Sequence, residues 1–496
     1  MFVALARGRA WIAAVLSLPG TVAAQKTLDL DAAAIEVAVE SEQREKGVPG
    51  YSVGIVVGDR LEFARAFGQA NRSTREPARV ETPYQIGSIT KVFTATLLAL
   101  LRDEGALRLD DSLAQHLPVE TRFGKIPAGT ITLRHLATHA SGLPRDPVGV
   151  DRKRPMTAAA LLGSLGNAEP ILPTGMRFSY SNLGYALLGH VLERASKRSY
   201  PDLLRTRLLD PLGMKSTRVA LGEADAEGLA AHYWTEDGGR VEHPPWLFGE
   251  ACGAGGILSN VPDLAKFLSM QFRTYPGADG PVPPDTLREL HTPQRLHDDS
   301  WERAIGLGWW IVHGDYGDVV HHGGEVDGQS AAIGFVPEHA VGVIVLANLG
   351  GDSAEPLARR LMRIAVGAAA AERAEARRLH QAQEWEASMA ACERLLERNP
   401  GDGWAHYALA FARLRTNDFG GSAAEFDRAG ELGFNIAVCA YNAACAFALG
   451  GKKDLAFDRL RQARLRGFRD REQVLSDPDL ASLRDDPRWK ALLEGR

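Results

Sequence analysis

The spacing of hydrophobic and polar positions changes several times along the chain, and each change marks an element. In "KTLDLDAAAIEVAVESEQREKG" the apolar residues recur at helical spacing with charges between them, which predicts an amphipathic helix. "YSVGIVVGD" and "RLEFARAFG" follow, with β-branched and aromatic alternation around Gly58-Asp59, the pattern of a hairpin. From Pro83 to about Leu268 the periods are helical and are broken by Pro- and Gly-rich turns. Strand alternation returns only at "LGWWIVHGD", "DVVHHGG", "QSAAIGFVPE" and "VGVIVLANLG". The predicted sheet is therefore split, with a mostly helical insertion between its first two strands and its last three or four. That arrangement is α+β, not alternating β-α units.

From about residue 366 the pattern is helical, Ala-rich and charged, with no strand signal. Tyr407 and Tyr441, Ala410 and Ala444, Ala429 and Ala463, and the pairs Gly433-Phe434 and Gly467-Phe468 all recur at an interval of 34 residues. A period of about 34, with small residues where helices cross, predicts tetratricopeptide-like repeats. At the other end, Arg7 and Arg9 precede an apolar run from Trp11 to Leu18 and then Val22-Ala23-Ala24, the layout of a secretory signal. That run is too short for a permanent membrane span. The expected division is a signal peptide at 1–24, a first domain at 25–365, a linker at 366–375 and an all-α repeat domain at 376–496.

Composition adds exclusions. The chain has 496 residues, 45% hydrophobic and 24% charged, with a formal charge of −5 spread without blocks. Such a surface has no electrostatic footprint for nucleic acid or anionic membrane. Export implies an oxidising compartment, periplasmic or extracellular, yet the four cysteines show neither a disulfide framework nor metal spacing and read as small buried side chains.

Three stretches carry candidate chemistry. In "QIGSITKVFTATLLALL" Ser88 and Lys91 lie one turn apart where an apolar helix begins, with one face expected to be buried. A lysine at that spacing can polarise a serine hydroxyl, and helix-start amides can stabilise an oxyanion. An ordinary N-capped helix accounts for the same residues. "FSYSNLGYALLGHVLE" sets Tyr180-Ser181-Asn182 before another helix, where capping is again the plain alternative. "VVHHGGEVDG" ends a strand in His322-Gly323-Gly324, an edge bare enough for a substrate backbone to lie along. His321 and His322 face opposite sides of any strand, which argues against a shared metal. His135 and His139 are read as structural hydrogen-bonders.

Together these stretches resemble the serine β-lactamase and penicillin-binding-protein superfamily, in its class C-like branch with the related esterases and D-amino-acid peptidases. "PYQIGSITKVFTATLLALLRDEGALRLDD", "ITLRHLATHASGLP", "LLDPLGMKST" and "GAGGILSNVPDLAKFL" look like family segments in family order, over about residues 30–350. The resemblance implies a β-lactamase-like fold, an antiparallel sheet flanked by helices, and a hydrolase that needs neither cofactor nor metal. It implies Ser88 as acylated nucleophile, Lys91 as its activator and Tyr180 as proton carrier. Asn182 and the His322-Gly323-Gly324 edge would bind substrate, and the amides of Ser88 and Glu325 would form the oxyanion hole. For Lys91 to be neutral near pH 7 its pKa must fall from ~10.4 to about 7, roughly 5 kcal/mol of environmental work. Depressing Tyr180 from ~10 to about 7 instead needs about 4 kcal/mol, so either remains a candidate base. β-Lactamases of this branch usually carry lysine where this chain has His322. A small ester or peptide substrate is therefore favoured over a β-lactamase or DD-carboxypeptidase role. A non-catalytic penicillin-binding scaffold is the remaining alternative, and the repeats are expected to bind a protein partner.

Overall fold

The computed structural model describes residues 28–494 apart from 148–153, 221, 223–224, 226–227, 298–301 and 315–316. The expected signal peptide lies outside the described residues. In chain order, the strands of the main sheet are β1 (Gly50–Val57), β2 (Arg60–Asn71), β3 (Glu76–Pro77), β4 (Arg295–Leu296), β5 (Arg303–Ile305), β6 (Trp310–Gly314), β7 (Gly317–Val326), β8 (Gln329–Val336) and β9 (Val341–Ala347). Their spatial order is β3-β2-β1-β9-β8-β7-β6-β5-β4, and every pairing is antiparallel. The N-terminal hairpin joins the late strands by pairing Tyr51 with Ala347 and Val57 with Val341. The split sheet is thus one continuous antiparallel sheet in an α+β fold, as the sequence predicted.

Strands β1, β8 and β9 are buried at every position because helices cover both faces. Alternation still decides which layer each residue joins. Val343, Val345 and Val53 pack with Ile35 and Val39 of helix α1 (Ala32–Lys46) and with Leu357 and Leu361 of a long C-terminal helix. Ile344 and Leu346 point the other way, into a core with Phe93, Phe267 and Trp309. Phe93 belongs to α2 (Thr90–Asp103), whose residues from Thr90 through Leu101 are all buried. The sequence predicted one buried face for this helix. The inserted helices α3 (Asn182–Ser196) and α4 (Val261–Gln271) help to bury the rest, and the Phe93 and Phe267 rings stack 3.9 Å apart.

The insertion also contains strands that its helical periods did not reveal. Tyr84–Gln85, Arg218–Val219 and Ile257–Ser259 form a small sheet, and His232–Glu236 pairs with Gly239–His243. Runs of two or three residues are too short to display a period of two. Among the described residues no helix is long and apolar enough to cross a membrane, and the four cysteines are free and buried.

The C-terminal part is helical. Residues 366–375, expected as a linker, lie inside helix α5 (Glu355–Gln381), which runs from the sheet into the following hairpins without a break. The next helices are Trp385–Arg398, Gly403–Arg415, Phe419–Glu431, Ile436–Leu449 and Lys453–Leu465, and Trp385, Phe419 and Lys453 start at intervals of 34 residues. Equivalent aromatic pairs recur with the helices: Tyr407 meets Phe434 at 5.4 Å, and Tyr441 stacks on Phe468 at 4.3 Å.

Arg373 on α5 is the joint between the two parts. Its guanidinium pairs with the buried carboxylate of Asp402, which caps the helix Gly403–Arg415, and lies 3.5 Å from Glu338 just beyond β8. Asn399 also donates to the Glu338 carbonyl at 3.1 Å. Replacing Arg373 with alanine strands a buried charge, for which a cost of about 3–5 kcal/mol is expected. Urea unfolding of R373A should show the C-terminal helices melting earlier than in the parent; an unchanged midpoint would refute the joint.

Candidate active site

Ser88 sits in a single 3-10 turn, Gly87–Ile89, that leads directly into α2. Its hydroxyl does not cap the helix. Lys91 follows one turn later and is fully buried. Its Nζ lies 3.0 Å from Ser88 Oγ and donates to the Ala254 carbonyl at 2.7 Å. Burial drives the Lys91 pKa well below its ordinary value; the nearby Arg145 charge adds to the effect and Asp146 opposes it.

Tyr180 approaches the same hydroxyl from the other side. The capping account of "SYSN" holds for its middle residue only: Ser181 Oγ accepts the Gly184 amide at 2.9 Å, while Tyr180 and Asn182 flank that cap beside Ser88. Lys91 Nζ stands 5.0 Å from the Tyr180 ring centroid. Burial pushes the Tyr180 phenol up to about 12, with its hydrogen bond to Ser88 and the Arg145 charge pulling the other way. The Asn182 side-chain amide donates to Asp146 at 2.7 Å.

Strand β7 closes the third side. A Cβ on Gly324 would fall 1.9 Å from the Ile86 carbonyl oxygen and 3.2 Å from the Ser88 amide nitrogen, so only glycine allows this approach. A Cβ on Gly87 would likewise lie 2.7 Å from the Glu325 nitrogen. The backbones at Ser88 and Glu325 are thereby brought side by side. His322 lines the cleft, buried, its Nδ1 2.6 Å from the Gly323 carbonyl oxygen. Burial and the Lys91 amine lower its pKa to about 3, so the imidazole is neutral at pH 7. His321 lines a different cavity, across the sheet. Of the two tryptophans on "LGWW", Trp309 is core and Trp310 borders the cleft.

Two cavities meet at Ser88. One, of about 290 Å³, is bounded by Asn182, Asp146, Met156, Trp246 and Phe248. The other, of about 350 Å³, runs past Tyr180, His322 and Arg145. Ser88, Lys91, Tyr180, Asn182 and His322 to Glu325 therefore gather in one place, while His321 lies across the sheet.

Three neighbours were missed or underrated. Arg145 and Asp146 lie in "GLPRDP", a Pro-flanked loop in which two adjacent charges have no period to mark them. His139 has the expected structural role, accepting the Ser181 amide at 3.1 Å, but its ring also stacks on Tyr180 at 4.2 Å and holds the phenol in place. His135 accepts the Thr132 amide at 3.2 Å in a helix cap.

The β-lactamase family model matches residues 34–367, and the chain belongs to that family, within the serine hydrolase superfamily of β-lactamases and penicillin-binding proteins. It is 30% identical to penicillin-binding protein 4 of Amycolatopsis lactamdurans over 62% of this chain and 82% of that one. It is 26% identical to protein flp of Staphylococcus aureus over 66% of its length, a match that spans 65% of that protein. Among solved structures, the octameric penicillin-binding protein homologue from Pyrococcus abyssi superposes with a TM-score of 0.60 at 29% identity, covering 68% of this chain and 78% of that one. A class C β-lactamase from Rhodobacter sphaeroides gives a TM-score of 0.56 at 26% identity, covering 66% and 98%.

The approach of β7 to the serine turn makes a directional prediction. G324A should cost about 1–3 kcal/mol of stability through overpacking. G323A should cost much less, since its Cβ meets only the end of the flexible Glu355 side chain at 3.1 Å. Thermal melts of the two variants decide it: equal shifts would show that the approach is not under steric control.

Proposed function

We propose that this chain is an exported serine hydrolase that forms an acyl-enzyme on Ser88 and cleaves small esters or amides, including those of D-amino acids. The observation that carries the reading is the 3.0 Å contact between a fully buried lysine amine and the Ser88 hydroxyl. A depressed Lys91 pKa and a raised Tyr180 pKa together favour Lys91 as the base. In this scheme Lys91 Nζ takes the Ser88 proton as Oγ attacks the carbonyl. The amides of Ser88 and Glu325 receive the oxyanion. Tyr180 hands its phenolic proton to the departing alkoxide or amine and is reprotonated from Lys91. Water then reverses the relay and frees the acid.

Substrate size follows from the cavities. The Asn182 side, at about 290 Å³, suits a small acyl group with apolar contacts to Trp246 and Phe248. A neutral His322 offers no cation to a substrate carboxylate, which weighs against efficient β-lactam turnover. Arg145 favours the second reading, a β-lactamase or DD-carboxypeptidase, because it lines the same cleft and carries a cation there. The helical hairpins after α5, read as tetratricopeptide-like repeats, supply a surface for a protein partner. Export rests on the leader-like pattern at 1–24.

Labelling the parent and S88A with a fluorophosphonate and with a fluorescent penicillin tests the scheme. A Ser88-dependent fluorophosphonate adduct with ester turnover is expected. Adduct with the penicillin alone selects the second reading, and no Ser88-dependent adduct leaves a non-catalytic scaffold. The pH profile is a separate check. Protonation of Lys91 removes the base, so kcat/KM should fall on the acid side with an inflection well below 10.5, and the Tyr180 phenol should stay protonated to about 12. K91M should lower kcat by about 10²–10⁴. No loss on the acid side, or an acid limb that K91M leaves unchanged, would remove Lys91 as the base.

A further inference from the structure

Across the sheet from Ser88 lies a larger space that the hydrolase scheme does not use. It measures about 770 Å³ and lies as a half-open cleft between β6, β7, β8 and helix α5. Its lining is mainly apolar: Val312, Val319, Ile333, Val336, Met362 and Val366. The volume lies within the range of about 300–1,000 Å³ that encloses small ligands. It adjoins the catalytic cleft, because Trp310, Gly323 and Glu355 border both spaces.

The charges around this space are unequal. Arg303, Arg359 and Arg363 line it with a single carboxylate, Glu355, which pairs with Arg359 at 2.8 Å. Arg303 and Arg363 are exposed and, among the described residues, make no ion pair or side-chain hydrogen bond. His321 inside is neutral at pH 7, held down to about 4 by burial and by the Arg359 and Arg303 charges. An apolar interior with two unengaged guanidinium groups at its border matches a molecule with one long alkyl chain and one anionic head.

We propose that this cavity binds a long-chain fatty carboxylate, its alkyl chain between the sheet and α5 and its carboxylate at Arg303 and Arg363. Met362 and Val366 contact the chain from the helix, and Val312 and Val319 from the sheet. Trp310 separates the bound chain from the Ser88 cleft.

The test uses the full chain carrying S88A, so that binding is read without turnover and independently of the hydrolase scheme. Isothermal titration with dodecanoate should show saturable one-to-one binding, and dodecyltrimethylammonium should bind at least about tenfold more weakly. R363E, at an exposed position, should weaken dodecanoate about tenfold. A358W, which fills the cavity from α5, should abolish binding while the circular dichroism spectrum and melting stay near those of the parent. If A358W misfolds, competition between dodecanoate and cis-parinaric acid on parent and R363E protein carries the same test. No saturable dodecanoate binding overturns the proposal. So does equal affinity for the cationic amphiphile, or binding indifferent to both substitutions. A concentration-dependent dimer that A358W disrupts, with no dodecanoate bound, would give the cavity to a second copy and also overturn it.

Discussion

A lysine inside a fully buried helix is the constraint around which this molecule is built. An ammonium group enclosed by protein is expensive, and the ordinary outcome is loss of its proton. Lys91 is tolerated because its amine has two partners, the Ser88 hydroxyl and the Ala254 carbonyl, both within hydrogen-bonding distance. The burial of α2 on every side follows from the inserted helices that wrap it against the sheet. Packing that looks like ordinary core formation thus also determines the protonation state of the site.

The remaining geometry depends on how closely separate pieces of backbone approach. Gly324 lets β7 lie against the Ser88 turn, and β7 is held in register by β8 and in part by β6. Tyr180 is steadied by the His139 ring and by the cap that Ser181 makes to α3. Arg145 and Asp146 bring opposite charges to the same place, one lowering and one raising the pKa values of Lys91 and Tyr180. The site is thus assembled from a helix start, a capped turn and a glycine-bare strand, each held by its own backbone hydrogen bonds. Helix α5 continues without a break into the C-terminal hairpins, with Arg373 tying helix, sheet connection and first hairpin together.

Much of the site was legible because its residues fall into short motifs with chemical meaning: Ser88 and Lys91 at one helical turn, Tyr180 and Asn182 astride a cap, His322 to Glu325 on a glycine-bare strand. All of them surround the two cavities or adjoin them. Arg145 and Asp146 stayed hidden because a loop has no period to mark which side chains point inward. The strand segments Tyr84–Gln85 and Ile257–Ser259 stayed hidden because two or three residues cannot show alternation. The helical pattern from about residue 366 was legible, but not that residues 366–375 continue the helix that begins at Glu355 and packs on the sheet.

By itself the sequence determined the periods of the strands and helices, the 34-residue recurrence of the C-terminal part, and the one-turn spacing of serine and lysine. These are local properties, set by neighbours along the chain. Only the tertiary structure decided that α2 is surrounded, that Lys91 is the depressed group and Tyr180 the raised one, and that His322 is neutral in the cleft while His321 faces a cavity across the sheet. The reason is that desolvation and electrostatic coupling depend on which atoms surround a group, and most of those atoms come from parts of the chain far away in sequence.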